Sequence, residues 1–247
     1  MIKKVISLVV LATIFTVCLP IQETNANTTG ANLKALETTL TLDEAKIIVA
    51  NYATNTSLSV DEAEKQLTAE LESKIKEDRS EQMNQTHTTR GASSGKYKLS
   101  KSKYVGDVFY TPSSTLGIPH GHNGIYVKKD RIVESIPKTG VRNIAYNGRN
   151  VEKNTVMQDV KVSQKKCTAA ANWANSQVGE KYSKNFATNR KTGKYGAKNC
   201  SKLVWSAYIL KADIDIDKDK GAGVYPKDIR DSNYTHTYKT IKWWIEK

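Results

Sequence analysis

Asn199-Cys200-Ser201-Lys202-Leu203-Val204-Trp205-Ser206-Ala207-Tyr208 reads as the opening turns of a helix with a cysteine at its start. Leu203, Val204, Ala207 and Leu210 recur at helical spacing and give one apolar face that packs inward. Asn199 and Ser201 carry side chains suited to helix starts. A thiol placed there meets unpaired backbone N–H groups and the positive end of the helix dipole, and both favour thiolate over thiol. Two readings of Cys200 follow: a buried structural residue, or a nucleophile. The second requires a base within reach of the sulfur and a third group that orients the base.

The chain offers four histidines for the base, His87, His120, His122 and His236. His122 stands immediately before the apolar run Asn123-Gly124-Ile125-Tyr126-Val127, so its ring projects from the edge of a rigid strand. His120 falls in a Pro- and Gly-containing loop, His87 in a linker and His236 near the tail. Lys128-Lys129-Asp130 turns the chain, and Arg131 to Ile136 returns as the paired strand of a hairpin. Glu134 lies in that returning strand and is the polar side chain placed to reach the His122 ring. A carboxylate there fixes the tautomer and is expected to hold His122 as imidazolium.

The rest of the chain falls into four parts. Residues 1–26 have the form of a signal peptide: Lys3-Lys4, an apolar run from Val5 to Val17, and small residues around Ala26. An uncleaved N-terminal anchor is the alternative. Residues 27–78 form a helical segment with a polar lead-in. Thr41-Leu42-Asp43-Glu44 and Ser59-Val60-Asp61-Glu62 are both capping boxes, each followed by an apolar face. Residues 79–96, with Gly91, Ser93, Ser94 and Gly95, read as a linker. The main domain covers 97–247. Its pattern predicts strands at Val108–Tyr110, Asn123–Val127, Arg131–Ile136 and Thr155–Val162, a polar loop over 137–154, and a helix over Gln164–Val178 ended by Gly179. After the Cys200 helix comes a turn-rich stretch, and Tyr238–Ile245 closes the sheet. The class is α+β. Cys167 falls on the apolar face of the first of these helices and is expected in the core, although a bridge between Cys167 and Cys200 remains open.

Gly106-Asp107-Val108, His122-Asn123-Gly124-Ile125-Tyr126-Val127, Glu134, Gly179-Glu180-Lys181-Tyr182 and Asn199-Cys200-Ser201-Lys202-Leu203-Val204 together resemble the NlpC-like branch of the papain-like hydrolases. In usual members of that branch the Cys helix precedes the His strand. Here the His hairpin comes first, which resembles the circularly permuted, YiiX-like group of papain-like amidases. The resemblance covers roughly residues 97–247. It implies Cys200 as nucleophile, His122 as base and then acid, Glu134 as the orienting residue, and Tyr182 as a tyrosine lining the oxyanion side. No cofactor is expected, and no metal, since no third ligand stands near His120 and His122.

The formal net charge is +13, and its distribution is uneven: residues 1–95 hold 9 basic and 12 acidic residues, and the remainder holds 29 and 13. An exported basic domain is drawn to anionic cell-surface polymers, and no nucleic-acid recognition motif accompanies the charge. The expectation is therefore a secreted or cell-surface enzyme acting on amides, in wall peptides or other wall components. A thioesterase or acyltransferase on lipids and a non-catalytic wall- or polyanion-binding module are the alternatives. Three further features of the sequence point elsewhere, each incompletely. His120-Gly121-His122 offers two metal ligands without a third. Asp215-Ile216-Asp217-Lys218-Asp219 opens like a calcium loop but has Lys220 and Pro226 where the loop needs Gly and an acid. Trp243-Trp244 is an aromatic pair suited to a closing strand.

Overall fold

The computed structural model describes residues 28–85, 97–115 and 118–242. The expected signal peptide, His87 and the Trp243-Trp244 pair lie outside the described residues. The chain begins with helices α1 (Ala31–Leu36), α2 (Leu42–Thr56) and α3 (Val60–Gln85). Both capping boxes form. Thr41 Oγ1 accepts the Glu44 N–H at 3.1 Å while the Glu44 carboxylate accepts the Thr41 N–H at 2.7 Å. Ser59 and Glu62 repeat the arrangement.

Two differences from the sequence reading appear in this segment. The lead-in contains α1, whose start is held because Glu64 of α3 accepts the N–H groups of Gly30 and Asn32. The stretch 79–85, read as linker, continues α3. There Glu81 takes a bidentate pair from Arg230, at 2.6 and 2.7 Å. A charge pair from 149 positions away leaves no trace in local periodicity.

The strands follow: β1 (Tyr97–Lys98), β2 (Val108–Thr111), β3 (Ser114–Thr115), β4 (Ile118–Pro119), β5 (His122–Lys128), β6 (Arg131–Ile136), β7 (Gly140–Ala145), β8 (Asn150–Val151) and β9 (Val156–Val160). Then come α4 (Gln164–Ser176), α5 (Cys200–Lys211), α6 (Pro226–Arg230) and β10 (Thr235–Thr240). The main sheet has six antiparallel strands in the order β10-β9-β2-β5-β6-β7. Strand alternation sends Val108, Ile125 and Val133 to one face, where Cys167, Ala170 and Ala174 of α4 and Leu203, Val204 and Ala207 of α5 cover them. Phe109, Tyr126, Ile132 and Met157 point to the other face, under Leu99 and Val151. The fold is α+β with an antiparallel sheet, as the pattern implies.

The polar loop expected over 137–154 is corrected. Residues 140–145 form β7, paired along the whole of β6 from Ile136↔Gly140 to Arg131↔Ala145. Its polar side chains hid it, because an edge strand needs few apolar residues. At its start Gly140 has φ +67°, and a Cβ built there would lie 2.0 Å from the Glu180 carbonyl oxygen. Val141 N–H also donates to that oxygen, at 2.9 Å. Gly140→Ala is expected to cost about 1–3 kcal/mol in denaturant unfolding.

The N-terminal helices dock on the sheet-bearing domain. Leu67, Leu71 and Ile75 of α3 share one apolar cluster with Phe186, Ala187, Ala222, Tyr225 and Cys200. Glu70 accepts the N–H groups of Ala222 and Gly223. Lys74 Nζ bridges Asp219 and Asp228, 2.7 Å from the latter. Among the described residues no helix is long and apolar enough to cross a membrane.

Candidate active site

Cys200 is the first residue of α5, as the sequence implies. The cap is Asn199, whose Oδ1 accepts the Lys202 N–H at 2.9 Å. The irregular stretch before the helix is pinned by two residues that sequence reasoning did not single out. The carbonyl of Asn185 accepts from Asn199 Nδ2 at 3.0 Å. The amide of Asn189 donates to Asn199 Oδ1 and to the Val224 carbonyl. Ser135, next to Glu134, donates to the Lys198 carbonyl at 2.6 Å and ties β6 to the helix start.

The sulfur is nearly enclosed. Backbone N–H groups of Asn123, Ser201 and Cys200 itself face it. Burial outweighs them all and pushes the thiol up to about 11, while the N–H groups and Arg149 pull the other way. The pull toward thiolate expected at a helix start is present in these N–H groups, but burial outweighs it and favours the thiol. Cys167 and Cys200 are both free and buried. Cys167 packs in the core with its sulfur 3.6 Å from the Val160 carbonyl.

His122 opens β5, and its Nε2 lies 2.8 Å from Glu134 Oε2. Glu134 is fully buried. The same Oε2 accepts from Arg149 Nη1 at 2.6 Å, and Oε1 accepts from Arg142 Nε at 2.9 Å and Nη2 at 2.6 Å. Burial raises the Glu134 carboxyl, but His122, Arg149 and Arg142 overcome it and bring it down to about 2. His122 goes the other way. Burial and then Arg149 lower it to about 4, against the pull of Glu134. Against the expected imidazolium, the structure favours a neutral ring, chiefly because the ring is buried and in smaller part because Arg149 stands beside it. Sequence reasoning missed both arginines, since they lie in the stretch read as a loop. Arg142 sits directly opposite Glu134 in the β6–β7 register.

An ionised carboxylate only accepts, so His122 Nε2 carries the proton and Nδ1 presents its lone pair. Cys200, His122, Arg149 and Tyr182 line one cleft of about 650 Å³. The Tyr182 hydroxyl is raised by burial and then by the charge of Cys200, which puts the two groups in each other's field. Leu71 and Ile75 of α3, with Ile118, Ile136 and Phe186, give the cleft apolar walls. The N-terminal helices therefore form part of the site. Lys138, Lys181 and Lys184 also line it.

The remaining candidates separate from this centre. His120 lines the cleft, but its Nδ1 is engaged with the Gly121 carbonyl and its ring packs 6.5 Å from that of Phe186. His236 is exposed and pairs with Asp159. Among the described residues, the group that offers three ligand atoms within 4.8 Å of one another is Asp217, Asp219 and Asp228. Lys74 already sits on two of them. Asp107 of the Gly-Asp-Val segment is structural: its Oδ2 accepts from the N–H groups of Lys103 and Tyr104 and from the Tyr238 hydroxyl.

No family model matches the chain. A protein of Bacillus subtilis (strain 168), named uncharacterized protein YycO, is 57% identical over 151 residues, which are 61% of this chain and 61% of that protein. The match therefore spans less than two thirds of that relative's length. Among solved structures, the metalloprotein yiiX of Escherichia coli O157:H7 is similar with a TM-score of 0.42 at 13% identity, over 57% of this chain and 98% of that one.

Proposed function

We propose that this chain is a cysteine hydrolase that cleaves amide bonds by acyl transfer, on a circularly permuted papain-like domain. Cys200 is the nucleophile, His122 the base and then the acid, and Glu134 the orienting residue. The observation that carries the reading is the Glu134–His122 hydrogen bond of 2.8 Å, which leaves Nδ1 as the basic nitrogen in the cleft that Cys200 lines. The order of parts, hairpin first and Cys helix second, supports the permuted reading.

In the first step the Cys200 S–H proton passes to His122 Nδ1 as the S–C bond forms on the amide carbonyl. The oxyanion lies against the backbone N–H of Cys200, with the Tyr182 hydroxyl as second donor. Collapse breaks the C–N bond, and the His122 proton leaves with the amine. Water, deprotonated by His122, then attacks the thioester. The C–S bond breaks, the acid is released, and the thiol regains its proton.

The signal-peptide form of residues 1–26 and the charge of +13 favour a cell-surface substrate, in wall peptides or other amide-linked wall components, with anionic surface polymers as the milieu. The apolar walls favour a second reading, hydrolysis or transfer of an ester- or thioester-linked acyl chain. The test compares the wild type with Cys200→Ser on peptidoglycan fragments and on a panel of acyl thioesters, scored for released amines and free acids, alongside retention on whole walls. Amine release that is lost in the variant supports the proposal. Turnover confined to the acyl panel favours the second reading. Identical behaviour of both proteins would make the chain a non-catalytic wall-binding module.

A further inference from the structure

Glu134 supplies one negative charge and holds two guanidiniums, Arg142 on Oε1 and Arg149 on Oε2. With His122 and Cys200 neutral, the cluster at rest carries one positive charge more than it needs. An excess charge in a buried site is costly unless something in the working cycle answers it. The two arginines are not equivalent. Arg142 stands on β7, is 32% exposed, and does not line the cleft. Arg149 is 16% exposed and lines the cleft together with Cys200. Its Nε is buried without a hydrogen-bond partner, and its one hydrogen bond among the described residues runs from Nη1 to Glu134. It is held in extended backbone just before β8, which pairs with β1, so the guanidinium is presented from a fixed position.

We propose that Arg149 is a positioning residue whose charge stabilises the Cys200 thiolate, and the oxyanion that follows it, in the role an imidazolium fills in a preformed ion pair. The proposal rests on the reading of Cys200 as nucleophile. Three ionisable groups that line the cleft with Cys200 are His122 from β5, Arg149 from the β7–β8 connection, and Tyr182 from the segment before α5. His120, Glu37, Lys138, Lys181 and Lys184 are the other ionisable residues of the cleft. Arg149 is the one whose charge acts on both Cys200 and His122. It favours the anion on sulfur and disfavours a resting proton on the ring. Charge that is placed in advance and answered only as the reaction proceeds lowers the barrier and leaves the ground state alone.

The experiment measures alkylation of the full chain by iodoacetamide as a function of pH, with the Cys200 adduct quantified by peptide mapping. The sulfur attacks the methylene, the C–S bond forms and iodide leaves. The rate therefore follows the thiolate fraction at any pH below the midpoint. Four variants are compared with the wild type: Arg149→Met, Arg149→Gln, Arg149→Lys and Arg142→Met. Gln keeps a donor for Glu134 without the charge and serves if the Met variant fails to fold. An opposite charge close by shifts such a group by about 1–3 pH units. Both neutral Arg149 variants should therefore react about tenfold or more slowly at fixed pH, with Lys restoring most of the rate. Arg142→Met should stay within about threefold of the wild type, because Arg142 clamps the same carboxylate without acting on the sulfur. A wild-type profile in Arg149→Gln, or an equal shift in Arg142→Met, would overturn the inference and leave the nucleophile standing. A wild-type Cys200 that reacts at no pH would instead remove the nucleophile reading itself.

Discussion

Cys200→Ala should lower turnover by about 10⁴–10⁶-fold, the scale on which removal of an attacking atom acts when its partners remain in place. The fold should survive. Cys200 sits against Phe186, Ala187 and Tyr225, and its loss removes a single buried heavy atom, a cost of about 1 kcal/mol. The activity that remains should also lose its characteristic pH dependence. In the wild type the ring of His122 must be unprotonated to accept the thiol proton. Burial and Arg149 bring it down to about 4, so activity should persist well below the ordinary histidine range and fall only as the ring protonates near 4. A measurement of kcat/KM from pH 3 to 9 checks this directly. A fall centred near 6.5 would mean that His122 is solvated or that the base is elsewhere.

The site was legible in the sequence where its geometry is local, and illegible where it is not. Asn199 as cap and Cys200 as first helical residue follow from residue types and a 3.6-residue period, and both sit where the pattern puts them. His122 and Glu134 are joined by one hairpin, so their meeting could be read from a turn and two apolar runs. Arg142 and Arg149 could not. Gly140-Val141-Arg142-Asn143-Ile144-Ala145 has too little apolar alternation to announce a strand, and β7 becomes one because β6 pairs with its full length. Once 140–145 is a strand, the register alone puts Arg142 opposite Glu134. Those two residues set the charge around Glu134, and burial, which no local pattern announces, is the larger cause of the lowered His122 ring, with Arg149 second. The end of α3 was missed for the same physical reason. Residues 79–85 lack an apolar face, and the helix is extended there by the pair between Glu81 and Arg230. The cleft wall supplied by Leu71 and Ile75 likewise depends on docking, and an amphipathic helix does not name the surface it will cover.

Glu134→Gln should be the most damaging single change to stability as well as a severe one for activity. The carboxylate is fully buried and accepts from His122, Arg142 and Arg149, so its neutral replacement leaves two guanidiniums without a counter-charge. Removing one partner of a buried ionic cluster costs about 3–5 kcal/mol, because the charge left behind stays desolvated. The amide also offers a donor where only an acceptor suits His122 Nε2. The ring can then be held with its proton on Nδ1, the nitrogen that must be bare, and a wrong tautomer of this kind costs up to about 10⁴-fold in rate. The pH dependence separates the two effects. Glu134 titrates near 2 when folded against an ordinary 4.5, so its stabilisation is present above 4.5 and is lost as pH falls toward 2. His122 titrates near 4 when folded against 6.5, so the unfolded chain binds the extra proton first, and stability is also lost as pH falls from 6.5 toward 4. Both groups therefore destabilise the wild type toward acid. The Gln variant lacks the Glu134 part, so its urea midpoint should be lower than that of the wild type at pH 7. The gap between the two should narrow steadily below pH 4.5. A gap that stays constant down to pH 3 would mean that the carboxylate is not the ionised centre of the cluster, and the assignment of protons on His122 would have to be reversed.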